Sequence, residues 1–192
     1  MSIDPVTTHT PVHILGLCGS LRSASYNGAA LQAAAALLPE GSSFSQASLA
    51  DLPLFNQDHE HPLPASVVAL KQQIRAADAV LIATPEYNYS VPGVLKNAID
   101  WASRPYGDSA WAGKPVAILS ASVSALGGAR AQYHLRQMFV YLDMPVVNHP
   151  EVMIGHAGQV FDPNGSLTQT DSLALIRELL VNLVRLARQL RK

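Results

Sequence analysis

The sequence predicts an α/β fold: a doubly wound parallel sheet of five strands with helices on both faces. Three observations predict it. Short apolar runs bounded by turn residues, Val12–Cys18, Ala79–Thr84 and Pro115–Ser120, read as fully buried strands. Segments with apolar residues at helical spacing alternate with them. The loops behind these runs are rich in serine, glycine and tyrosine, and a doubly wound sheet binds its ligands beyond the carboxyl ends of its strands.

The weaker elements follow from local chemistry. Ser43–Leu49 is a more polar strand candidate suited to a sheet edge, and Pro145–Asn148 is the fifth. Ala29–Leu38 is alanine-rich, alanine being the best helix former, and Pro39 and Gly41 close it. Pro64–Ala77 is the second helix. Over Val91–Ser103 the residues Val91, Leu95, Ala98, Ile99 and Ala102 share one face, with Pro92 suited to the first turn. Ala131, Leu135, Met138, Phe139 and Leu142 do the same over Ala129–Leu142. The last helix, Asp171–Leu190, carries an apolar stripe, and Arg185, Arg188, Arg191 and Lys192 suit the negative end of its dipole as a solvated face. Gly158–Thr168, with Asp-Pro-Asn-Gly at 162–165, reads as a small hairpin or turn ahead of the last helix. No repeat or long linker divides the chain, so residues 1–192 are expected to form one domain with a flexible terminus over residues 1–11.

Composition narrows the function classes. Hydrophobic residues make up 48% and charged ones 14%, so much of the sequence is packing surface, with room for a subunit interface. The net charge of −1, with no basic cluster before the last helix, argues against a nucleic-acid partner. No apolar run approaches the ~20 residues of a membrane span, and Met1–Pro11 has no signal-peptide core. Cys18 is the single cysteine, which excludes an intrachain disulfide and fits a reducing compartment. A cytoplasmic protein is expected.

Three loops carry the chemistry. Gly19–Asn27 opens a helix whose free N–H groups and dipole favour an anion. Ser20, Ser23, Ser25 and Asn27 add neutral donors, and Arg22 adds a forked cation matched to phosphate oxygens. There is no Walker A lysine, and Gly16 and Gly19 have the wrong spacing for a dinucleotide fingerprint. Taken alone, a serine-capped helix start explains this loop as well as a phosphate site does. Thr84-Pro-Glu-Tyr-Asn-Tyr-Ser-Val-Pro-Gly93 sets two tyrosines between prolines, a stiff wall for a flat ring, or simply a tight surface turn. Ser120–Gly128 is small and glycine-rich, which allows close backbone approach or mere flexibility. Together the three describe a site for a mononucleotide with a planar ring, and the lack of a second phosphate motif favours FMN over FAD.

At these residues the chain resembles the NAD(P)H-dependent FMN reductase family of flavodoxin-like proteins, in particular its bacterial quinone and chromate reductase branch. The matching segments are Gly19–Asn27, Thr84–Gly93 with Leu95-Lys-Asn-Ala-Ile-Asp-Trp101, Ala112-Gly-Lys-Pro-Val116, and Gly127-Gly-Ala-Arg-Ala-Gln-Tyr-His-Leu-Arg-Gln137, in the family's order. The resemblance implies that Ser20, Arg22, Ser25, Tyr26 and Asn27 cradle the FMN phosphate. It implies that Pro85, Glu86, Tyr87, Asn88 and Tyr89 border the isoalloxazine and ribityl region, with Ser122 and Ser120 approaching from the third loop. It implies ping-pong chemistry carried by the cofactor, with hydride passing from NADPH or NADH to bound FMN and two electrons then reducing an acceptor. No catalytic side chain is required. It also implies a homodimer or homotetramer, with the Val91–Ser103 helix, Trp101 and the helix after Gly128 as interface candidates. The alanine-rich first helix and serine-rich third loop depart from the family pattern and leave the acceptor open among quinone, free flavin, azo compound and metal oxyanion.

The same residues admit other readings. Gly16-x-Cys18-x-Ser20 is a near miss to a nucleophile elbow, but a cysteine closing a buried strand is ordinarily core. Asp58-His-Glu-His61 lacks a metal-binding spacing and reads as a solvated loop, so no metal is expected. The substantive alternative is a flavodoxin-like carrier of single electrons without NAD(P)H turnover. Such carriers are strongly acidic with serine/threonine phosphate loops, whereas this chain is near neutral and has Arg22.

Overall fold

Five strands, β1 (Val12–Cys18), β2 (Ser42–Ala47), β3 (Ala79–Thr84), β4 (Val116–Ala121) and β5 (Val152–Ile154), pair in parallel in the order β2-β1-β3-β4-β5. The computed structural model describes residues 10–191. Most of the terminus expected to be flexible, and Lys192, lie outside the described residues. The helices are α1 (Tyr26–Ala36), α2 (Ala65–Ala76), α3 (Gly93–Ala102), α4 (Ala129–Leu142), α5 (Ala157–Val160) and α6 (Thr170–Leu190). This strand order is the flavodoxin-like one, whose chain reversal between β1 and β3 opens a crevice at the carboxyl edge.

Period-two alternation along the strands splits the core into two layers. Val12 and Ile14 of β1, Leu81 and Ala83 of β3, and Ala117 and Leu119 of β4 face α1 and α6. Leu15 and Leu17, Val80 and Ile82, and Val116 and Ile118 face α2, α3 and α4. A sheet buried on both faces requires near-continuous apolar strands, which is why these three were recognisable from sequence.

Most boundaries shift by a residue or two, and two depart further from expectation. The fifth strand is Val152–Ile154, not Pro145–Asn148. Val146 makes one isolated bridge to Val116 before the chain turns away, and pairing along β4 resumes only at Val152 opposite Leu119. The first helix starts at Tyr26, ahead of the alanine run, because Ser25 caps it by accepting a hydrogen bond from Gly28 N at 3.2 Å. The expected hairpin is present as an antiparallel bridge between Phe161 and Leu167.

Several polar and aromatic side chains outside the apolar runs prove structural. Arg191 pairs with Asp78 through Nε and Oδ1 at 3.1 Å, tying α6 to the start of β3. Burial acts upward on the Asp78 carboxyl, but Arg191 and the His13 N–H outweigh it and hold the group below its usual range. Glu60, inside the Asp-His-Glu-His stretch, is buried against Arg104 at 2.5 Å. Lys71 is 2% exposed and reaches Asp108 at 2.7 Å. Trp101, an interface candidate, is fully buried within this chain and donates from Nε1 to Pro53 O at 2.8 Å. It is therefore core.

Candidate functional site

The loops after β1, β3 and β4 meet at the carboxyl edge of the sheet, and they are cross-linked there. Gly19 N donates to Ala83 O at 2.8 Å, so the first loop leaves β1 still attached to β3. Asn27, 3% exposed, spans to β4. Its amide donates to Ala121 O at 2.9 Å and its carbonyl accepts from Ala121 N at 2.8 Å. Its side chain therefore staples the first loop to the third.

Around the start of α1 the remaining donors converge. Ser20, Arg22, Ser23 and Ser25 border a cleft of about 1040 Å³ whose far wall is the turn at 162–167. Ser25 Oγ takes the Gly28 N–H, leaving the Tyr26 and Asn27 N–H groups at the helix start without intrahelical acceptors. The guanidinium of Arg22 is exposed and has no hydrogen-bond or ion-pair partner among the described residues. Tyr26 stacks at a tilt on Phe161, ring centroids 5.3 Å apart, and buttresses the turn. An unpaired forked cation, hydroxyls and a helix N-terminus fit a phosphate dianion. Of the three loops, only the first lines this cleft.

The second loop is a tight reversal in which Tyr87 and Ser90 exchange backbone hydrogen bonds at 3.0 Å in both directions. Asn88 and Tyr89 occupy left-handed backbone, φ 49° and 68°. Non-glycine residues pay about 1 kcal/mol or more each for that conformation, and such strain persists where the surroundings over-determine it. Pro85 is buried, whereas Tyr87, Asn88 and Tyr89 are exposed at the edge. Glu86 points inward, its side chain 8% exposed, and pairs with Arg130 of α4. Ser90 Oγ lies 2.8 Å from His134 Nδ1.

The third loop is held by Ser120, which is fully buried, donates to Gly127 O at 2.5 Å and accepts from Gln132 Nε2 at 2.8 Å. Ser120 thus shapes the loop without facing the edge. Ser122 is half-buried, its hydroxyl 3.2 Å from that of Ser124. Gly127 and Gly128 have φ +58° and +89°, and a Cβ on Gly127 would lie 2.7 Å from the Met153 carbonyl carbon. Only glycine lets this backbone press against β5 and turn into α4.

Two features escaped the sequence reading. One is an apolar rim: Leu21, Tyr87, Tyr89, Val123 and Leu126 are exposed large side chains contributed by all three loops. Isolated apolar residues inside serine-rich loops were its available signal. The other is Arg130, a cation in the first turn of a helix, where the dipole disfavours it. That misplacement signals a buried carboxylate partner. Cys18 is buried, and burial pushes its thiol up despite hydrogen bonds from Ser20 N–H and Ser25, the opposite of what a nucleophile needs.

The family model for NADPH-dependent FMN reductases matches residues 12–159. An NAD(P)H-dependent FMN reductase of Pseudomonas aeruginosa is 52% identical over 181 residues, covering 94% of this chain and 97% of the relative. A quinone reductase of Escherichia coli is 49% identical over 155 residues, covering 79% of this chain and 82% of the relative. Among solved structures, the flavoenzyme NAD(P)H:(acceptor) oxidoreductase FerB of Paracoccus denitrificans superposes with a TM-score of 0.85 at 34% identity, covering 93% of this chain and 98% of that one. With the three-loop edge in place and these matches covering most of its length, the chain belongs to the NADPH-dependent FMN reductase family.

Proposed function

We propose that the protein holds FMN across the three loops and passes electrons from NAD(P)H to a quinone or a similarly flat acceptor. The observation that carries this reading is the unpartnered Arg22 beside the start of α1, on the same edge as the strained tyrosine turn. FMN, when bound, supplies the two-electron chemistry that the side chains here lack. The protein's share is positioning. Arg22, Ser20 and Ser25 would take the phosphate, and the helix start adds its N–H groups. Tyr87 and Tyr89 would wall the ring, with Pro85, Glu86 and Asn88 setting that wall's backbone. Gly127, Gly128 and Ser122 bring a third loop whose backbone N–H groups can stabilise negative charge on the ring. Ser120 and Asn27 support these groups from behind.

The apolar rim excludes water from one side and favours a flat, uncharged acceptor, consistent with relatives named quinone reductases. It disfavours a free metal oxyanion, which would lose hydration against tyrosine, valine and leucine. Exposed Tyr133, Val140 and Tyr141 on α4 supply apolar surface for a homodimer or homotetramer. Among the described residues no helix is long and apolar enough to cross a membrane.

Steady-state kinetics test this reading. Varying NADPH at several fixed quinone concentrations is expected to give parallel double-reciprocal lines, because donor and acceptor occupy one open face in turn. Intersecting lines would mean that both bind together and would contradict it.

A further inference from the structure

Arg130 is placed where a helix does not favour a cation, and it is held there from another loop. It lies in the first turn of α4, whose N-cap, Gly128, offers no side chain. Glu86 of the second loop supplies what is missing: its Oε2 accepts the Arg130 backbone N–H at 3.0 Å, and its Oε1 accepts from the guanidinium. That carboxylate holds the guanidinium firmly protonated, its pKa raised above the ordinary arginine value. The guanidinium carbon then sits 3.6 Å from the centroid of the Tyr89 ring. One planar fork thus serves two partners, a carboxylate at its edge and an aromatic ring on its face, which an ammonium could not do with the same geometry. Tyr89 is otherwise 68% exposed and sits on a left-handed backbone. An exposed tyrosine on a strained turn needs such a clamp to hold one orientation.

We propose that Arg130 is a positioning residue for the flavin site: clamped by Glu86, it fixes Tyr89 and so sets the aromatic wall that the ring meets. The inference rests on the reading that FMN occupies the three-loop edge. It also makes the second loop and the start of α4 one mechanical unit.

The test is a double-mutant cycle on the affinity of the apoprotein for FMN, read by quenching of flavin fluorescence. Arg130→Met and Tyr89→Ala are each expected to weaken binding about tenfold. The double variant is expected to be no weaker than either alone, because both remove the same fixed ring. A merely structural role for Arg130 predicts losses that multiply to about a hundredfold, and that result, or wild-type affinity in Arg130→Met, would overturn the proposal. Should Arg130→Met fold poorly because Glu86 is left unpaired, Glu86→Gln/Arg130→Met removes both charges and enters the cycle in its place, with the same expected non-additivity. Arg22→Ala is measured alongside. If it weakens FMN binding while the Arg130 variants do not, the clamp alone has failed; if none of them weakens it, the flavin reading has failed as well.

Discussion

Replacing Arg22 with alanine is expected to weaken FMN binding to the apoprotein by about tenfold to a hundredfold, the equivalent of one lost charge-assisted hydrogen bond of ~1.5–3 kcal/mol. The fold should not notice. Arg22 is exposed and has no partner among the described residues, so nothing is left unpaired when it goes, and surface changes of this kind alter stability by about 0.5 kcal/mol or less. Riboflavin sharpens the measurement because it shares the ring and lacks the phosphate. The wild-type preference for FMN over riboflavin should shrink in Arg22→Ala while riboflavin affinity stays constant. An equal loss for both ligands would place Arg22 at the ring instead of the phosphate.

Asn27→Leu should act in the opposite way, through the scaffold. Leucine keeps the branching and heavy-atom count of asparagine but cannot bond to β4. It leaves the buried N–H and C=O of Ala121 without their side-chain partner, at about 1–3 kcal/mol for each group left unsatisfied. A total near 3 kcal/mol is a large fraction of a typical ~5–15 kcal/mol stability and corresponds to roughly 6–12 °C in the melting temperature of a chain this long. Because the same bonds join the first loop to the third, FMN affinity should fall with stability. Thermal unfolding of the apoprotein checks the first part, and a shift below about 2 °C would show that the staple is unimportant.

These two residues mark what could be read from the sequence. Arg22 could be singled out because the signal is local: a cation among serines at a helix start needs no knowledge of distant chain. Asn27 sits five residues away and was assigned to the same cradle, yet its partner, Ala121, lies 94 residues further on. No spacing rule reports such a contact. The same division holds for the fold. Val12–Cys18 and Ala79–Thr84 were legible to the residue because burial on both faces demands unbroken apolar runs. The three-residue β5 carries almost no periodic signal, and a nearby segment with one bridging residue, Val146, drew the assignment instead. Glu86 and Arg130 were both in view as motif residues. Their pairing was not, although a cation at a helix N-terminus points to an acidic partner.

On this reading the three loops hold a flavin that NAD(P)H reduces and a quinone reoxidises. The most direct measurement is a visible absorption spectrum of the FMN-loaded protein, repeated under anaerobic NADPH and again after adding a quinone. The expected result is an oxidised flavin spectrum that bleaches with NADPH and returns with quinone. A flavin that stays oxidised under both NADPH and NADH, or an apoprotein that takes up no FMN, would contradict the account.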